Sequence, residues 1–128
     1  MNNPLQPTLC IDLKKNRIRI HKGTLHLLGN PEYIQILVNP DRHMIALRKS
    51  KRTDHAVHRV SVCSLDSKYY YELYSLTFLQ KLRKGNKGLE NNHTYRIYGE
   101  FSPKEGIAQF SMNDCIPVDD NEKDEVLL

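Results

Sequence analysis

The stretch Asn16–Arg48, NRIRIHKGTLHLLGNPEYIQILVNPDRHMIALR, carries the reading that decides the fold. Arg17-Ile18-Arg19-Ile20-His21 alternates polar and apolar residues. A strand there sends Ile18 and Ile20 to one face and Arg17, Arg19 and His21 to the other. Thr24 is placed to cap a short helix carrying Leu25, Leu27 and Leu28. Gly29 supplies its stop, and Pro31 prevents its continuation. Tyr33 to Val38 is a nearly continuous β-prone run, the mark of a more buried strand. Asn39-Pro40-Asp41-Arg42 has turn chemistry, since Pro presets its own φ and Asn or Asp bonds back to the backbone. Met44 to Leu47 then returns as the hairpin partner.

Upstream, Leu9, Ile11 and Leu13 alternate with Cys10 and Asp12 as a half-buried strand. Lys14-Lys15-Asn16 interrupts it, and Asn is the non-glycine residue that best tolerates a left-handed backbone. The first half therefore reads β-β-α-β-β, after a Pro- and Asn-rich arm at residues 1–7.

Downstream, Lys49 to His55 is a basic loop without periodicity. His58-Arg59-Val60-Ser61-Val62 reads as a strand, with Val60 and Val62 on one face, and Ser64 to Lys68 as a loop. From Tyr69 the period lengthens. Tyr69, Leu73, Leu76, Phe78, Leu79 and Leu82 predict a helix of three or four turns, ended by Gly85 and Gly88. Glu72, Gln80, Lys81, Arg83 and Lys84 fall on its exposed side. Tyr95 to Phe101 reads as a strand, Ser102 to Gly106 as a turn and Ile107 to Met112 as the return. The fold class is α+β: antiparallel hairpins forming a compact sheet or barrel, with one short and one longer helix. Residues 8–48 and 56–113 have the form of two pseudo-repeated β-α-β-β units, although hairpins closed by a Pro turn are common enough to arise separately.

A chain of 128 residues is long enough to bury one core. Its charge is uneven. The segment Asp114–Leu128 holds six acids against Lys123, while the residues before it hold 18 Lys/Arg and nine acids. A basic body (1–118) with an acidic tail (119–128) fits an anionic partner, and the tail either solubilises the chain or competes with that partner. Cys10, Cys63 and Cys115 have neither CxxC nor disulfide-framework spacing, which points to buried reduced thiols and a cytoplasmic location. No apolar run has the length of a membrane span, and MNNPLQPT lacks a signal-peptide layout.

The residues Ile11-Asp12, Asn16-Arg17-Ile18-Arg19-Ile20-His21-Lys22, Leu25, Leu28-Gly29 and Tyr33-Ile34-Gln35-Ile36 together resemble the AbrB/SpoVT type of DNA-binding half-unit. That pattern runs acid, tight turn, alternating Arg and aliphatic residues, short helix ending in Leu-Gly, then hairpin. Asn16 stands where the family usually has Gly, and His21 where it has Pro. The resemblance implies two interlaced halves, from two chains in a homodimer as in AbrB-like proteins or within one chain as in MraZ-like ones. It also implies DNA contact by Arg17 and Arg19.

The candidate site follows from residue chemistry and from that resemblance. Lys15, Arg17, Arg19, His21 and Lys22 form a basic stripe whose guanidinium and ammonium groups suit phosphates, and Arg48, Lys49, Lys51 and Arg52 extend it. The competing account is that charged strand residues solvate the surface and discourage edge pairing. Tyr69, Tyr70, Tyr71 and Tyr74 offer either core packing or stacking platforms for bases. His55 and His58 have no further ligand nearby, so no metal is expected. Neither a phosphate loop nor a nucleophile motif occurs, so no cofactor and no enzymatic activity are expected. The reading is a small DNA-binding protein of the transcription-regulator class, or alternatively a protein-interaction module.

Overall fold

The computed structural model describes residues 6–60, 70–85, 89 and 92–118. The expectations for residues 1–5, for the strand end, Cys63, the loop and Tyr69 at residues 61–69, for Gly88 and for the acidic tail 119–128 lie outside them.

The architecture is α+β, with two five-stranded antiparallel sheets that do not close into a barrel. Strands β1 (Thr8–Asp12) and β2 (Arg17–His21) form a hairpin, followed by α1 (Lys22–Leu27). A second hairpin joins β3 (Tyr33–Asn39) to β4 (Met44–Ser50), and β5 (His58–Arg59) is a two-residue strip along β3. Then come β6 (Tyr70–Tyr74), α2 (Leu76–Gly85), β7 (Thr94–Tyr98), β8 (Glu100–Ser102), β9 (Ile107–Ser111), a 3-10 turn at Met112–Asp114 and β10 (Ile116–Val118). Sheet A has the order β10-β7-β1-β2-β6, and sheet B the order β5-β3-β4-β9-β8. The halves of the chain meet within one molecule, where β2 pairs with β6 and β4 pairs with β9.

Three hairpins use the same local device. Each has a four-residue loop whose last residue is left-handed: Asn16 at φ 53°, His43 at 55° and Gly106 at 68°. The residue before each loop accepts a backbone N–H with its side chain. Asp12 accepts from Lys14 and Lys15, Asn39 from Arg42, and Ser102 from Glu105. Asn16 thus adopts the conformation its residue type predicts. Asn39-Pro40 and Ser102-Pro103 share a turn geometry as well as a sequence pattern.

The inner faces of both sheets and both helices feed one core. Leu9, Ile11, Ile18, Ile20 and Ile97 come from sheet A, Ile34, Ile45, Leu47 and Phe110 from sheet B, and Leu25, Leu79 and Leu82 from the helices. With both inner faces used, the outer faces look away from one another.

Four expectations are corrected, the first being that Tyr33–Val38 is the more buried strand: in β3 only Ile34 is buried and Leu37 is exposed, whereas β1 buries four of its five residues. The helix from Tyr69 begins instead at Leu76, because Tyr70–Tyr74 pairs along its length with β2 and satisfies that ladder. Ser75 then receives the Phe78 N–H as a cap, and Leu76 is left exposed rather than in the core. The short helix α1 is capped not by Thr24 but by His21, whose Nδ1 accepts from the Gly23 N–H. Thr24 lies inside the helix, fully buried, and its hydroxyl bonds both the N–H and the carbonyl of Thr8, fastening α1 to β1. The run Tyr95–Phe101 is two strands, divided at Gly99 where the chain leaves sheet A for sheet B. A Cβ at Gly99 would collide with the Gln109 carbonyl oxygen and the Phe110 ring, so only Gly fits that crossing.

Candidate nucleic-acid interface

Alternation along β2 does put Arg17, Arg19 and His21 on one face, the outer face of sheet A. Register then brings acids and rings from neighbouring strands onto the same face. Asp12 stands opposite Arg17 on β1, Tyr74 opposite Arg17 on β6, and Glu72 opposite Arg19.

The arginines are therefore engaged. Arg17 Nε donates to Asp12 Oδ2 at 2.8 Å and its Nη1 to Glu72 Oε2 at 2.9 Å. Arg19 Nε donates to the same Glu72 oxygen at 2.9 Å. Arg17 retains 8% of its exposure and Asp12 2%, so this pair is part of the interior. Burial alone would raise the Asp12 carboxyl. The Arg17 hydrogen bond, the Lys15 and Lys14 N–H groups and the Arg17 charge together hold it below its ordinary value. Breaking such a pair strands a charge in a poorly solvated place, which costs about 3–5 kcal/mol.

Arg19 is more open. Its guanidinium sits over the Tyr70 ring, 4.7 Å from the centroid, and His21 meets the same ring edge-on at 5.5 Å. His21 also caps α1, so its ring is held from two directions. Lys15 is exposed in the β1–β2 turn, and Lys22 is half-buried at the first position of α1.

Arg48, Lys49, Lys51 and Arg52 are all exposed, but they do not continue the stripe. They belong to β4 of sheet B and the loop after it. Arg48 Nε donates to Gln35 Oε1 on the outer face of sheet B, and Gln35 in turn donates to the His55 carbonyl. The loop is closed by Asp54, whose carboxylate accepts the Lys51 N–H and whose own N–H donates to the Lys51 carbonyl; Ala56 follows at φ 53°. Among the described residues, no ion pair engages the side chains of Lys49, Lys51 or Arg52. The loop leads into β5, where the Arg59 carbonyl accepts the Tyr71 hydroxyl from β6. It thus approaches sheet A at the Tyr70 end of β6, and Arg17 lies at the other end of that pairing.

Residue order alone did not reveal Arg96, Tyr98 and Glu72 as parts of this surface. Arg96 and Arg19 flank Cys10 in register, and Arg96 is within hydrogen-bonding reach of Tyr98 and Cys10. The signal available was the alternation in Thr94-Tyr95-Arg96-Ile97-Tyr98.

Among the described residues, no group of three or more His, Cys, Asp or Glu side chains is disposed to hold a metal ion. No helix among them is long and apolar enough to cross a membrane. In comparisons with protein-family models, curated proteins and solved structures, nothing matches this chain.

Proposed function

We propose that this chain binds DNA as a transcription regulator, with phosphate contacts made by Lys49, Lys51 and Arg52, assisted by Arg48, Lys15 and Lys22. The observation that carries this reading is the exposed run from the end of β4 into the loop after it, where Lys49, Lys51 and Arg52 have no carboxylate partner among the described residues, in a chain whose first 113 residues are strongly basic. Cations already hydrated and unpaired give up little on meeting a phosphate, and they gain the entropy of released counterions. Arg17 is a poor contact by the same reasoning, since it would have to leave Asp12 and Glu72 first. The resemblance of Ile11–Ile36 to AbrB/SpoVT half-units supports the DNA-binding class; the loop supplies a different contact surface within it.

Titration of duplex DNA at two salt concentrations tests the reading. Binding whose logarithm falls with the logarithm of salt, by about 0.9 for each phosphate contacted, is expected. Absence of binding at low salt overturns it. A protein-interaction module is the second reading, favoured by two exposed apolar side chains: Tyr74 (64%) at the end of β6, the edge strand of sheet A, and Leu76 (52%) at the start of α2. It predicts concentration-dependent association without any nucleic acid.

A further inference from the structure

The outer face of sheet A carries more than ion pairs. Along β6 it presents Tyr70, Glu72 and Tyr74, along β2 Arg17, Arg19 and His21, and along β7 Thr94, Arg96 and Tyr98. Tyr74 is 64% exposed and Tyr98 42%. On a sheet with strands about 4.8 Å apart, Tyr98 stands about 14 Å from Tyr70, and Tyr70 about 13 Å from Tyr74 along its strand. Between these rings lie three guanidinium groups. Among the described residues the face has three arginines against two carboxylates, and both carboxylates are already taken by Arg17 and Arg19. Arg96 has no carboxylate partner among the described residues.

We propose that this face is a stacking platform for a single-stranded segment of DNA, with Tyr74, Tyr98 and the Arg19–Tyr70 pair receiving bases and Arg96 meeting a phosphate. The chemistry suits unpaired bases better than a duplex. Flat rings at the corners of an open sheet stack on exposed base faces, and those faces are covered inside a double helix. A guanidinium already layered on Tyr70 offers its second face to a base, as arginine planes do. The charge balance favours an anionic partner over a neutral or basic one, and the flat rings favour bases over the side chains of an acidic peptide. The proposal rests on the DNA-binding reading and adds to it a second surface, reached from the basic loop past β5, where Tyr71 joins β6 to Arg59.

The experiment pairs two ligands with two sets of variants of the full chain. A fluorescein-labelled thymidine oligomer of about a dozen nucleotides and a duplex of equal length are titrated by anisotropy at low salt. The chain has no Trp, so its own emission comes from seven tyrosines and reports stacking directly. The single strand is expected to bind at least about tenfold more tightly than the duplex and to quench tyrosine emission. Tyr74→Ala with Tyr98→Ala removes the preference and reduces the quenching, whereas Tyr74→Phe with Tyr98→Phe keeps the preference. Tyr74 and Tyr98 lie within hydrogen-bonding reach of Arg17 and Arg96, so the Ala and Phe pairs both lose those contacts and are expected to show similar, small drops in thermal midpoint; only the Ala pair loses the single-strand preference.

Duplex binding equal to single-strand binding, or a single-strand preference indifferent to the Ala substitutions, overturns the platform and leaves the loop reading standing. Failure of both ligands to bind overturns the two together. If the Ala variants do not fold, the wild-type comparison of strand forms and the quenching decide: no preference and no quenching overturns the platform.

Discussion

Arg17 and Lys51 carry the same charge in equally basic stretches of the chain, yet the fold uses them in opposite ways. Arg17 sits at the end of the β2 ladder, between β1 and β6, where its neighbours are fixed by register. The β1–β2 hairpin puts Asp12 across from it and β6 delivers Glu72, so its charge is spent inside the protein. Lys51 follows β4 in a loop that closes on its own backbone through Asp54, and its side chain is left in water. The difference teaches that an alternating basic strand is a surface only if the adjacent strands bring no acids to the same face. The loop's own acid, Asp54, accepts the Lys51 backbone N–H, and among the described residues no carboxylate pairs with the side chains of Lys51 and Arg52.

The comparison can be broken most readily at Arg17. Arg17→Ala is expected to cost about 3–5 kcal/mol in urea unfolding, because Asp12 keeps a buried charge without its partner. A loss below about 1 kcal/mol would mean that the pair is solvated like an ordinary surface bridge. Acid titration examines the same pair from its other side. The Asp12 carboxyl is held below its unfolded value, so its contribution is present above about pH 4 and disappears as pH falls through the lower, folded value. Stability should therefore drop in that acid window, and Asp12→Asn should flatten the drop in a pH series of unfolding curves.

Arg19→Ala should cost less, about 1 kcal/mol, since its side chain is one-third exposed and Glu72 keeps Arg17. Smallest of all is the effect of Lys49→Ala, Lys51→Ala and Arg52→Ala combined. Their unfolding free energy should stay within about 0.5 kcal/mol of the parent, as for exposed residues without a structural role. A thermal shift as large as that of Arg17→Ala would erase the distinction between the two regions.

The legible parts of the fold were those set by local chemistry. Asn16 takes the left-handed backbone its side chain tolerates, Gly29 ends α1 at φ 89°, and the Asn39-Pro40 and Ser102-Pro103 turns close hairpins. The Tyr70–Tyr74 strand was hidden because its residues satisfy two periods at once. Leu73, Leu76, Leu79 and Leu82 continue a helical spacing, while Tyr71 and Leu73 alternate with Tyr70, Glu72 and Tyr74. The free edge of β2 resolves that ambiguity, and an edge is a property of the folded sheet. The site divides along the same line. Asp12 opposite Arg17 follows from a four-residue turn, but Glu72 lies 55 positions from Arg17 and becomes its partner only once β6 is known to be a strand. Gly99 was equally silent, since a sheet-to-sheet crossing leaves no periodic trace.

The central claim is that the exposed cations at the end of β4 and in the loop after it, and not the sequestered arginines of sheet A, meet the phosphates. A salt titration of duplex binding, comparing the parent chain with the Lys49→Ala, Lys51→Ala, Arg52→Ala variant, tests it most directly. The slope of log affinity against log salt is expected to fall in magnitude by about 2.7, or roughly 0.9 for each cation removed. An unchanged slope in a folded variant would contradict the claim and return the contact surface to sheet A.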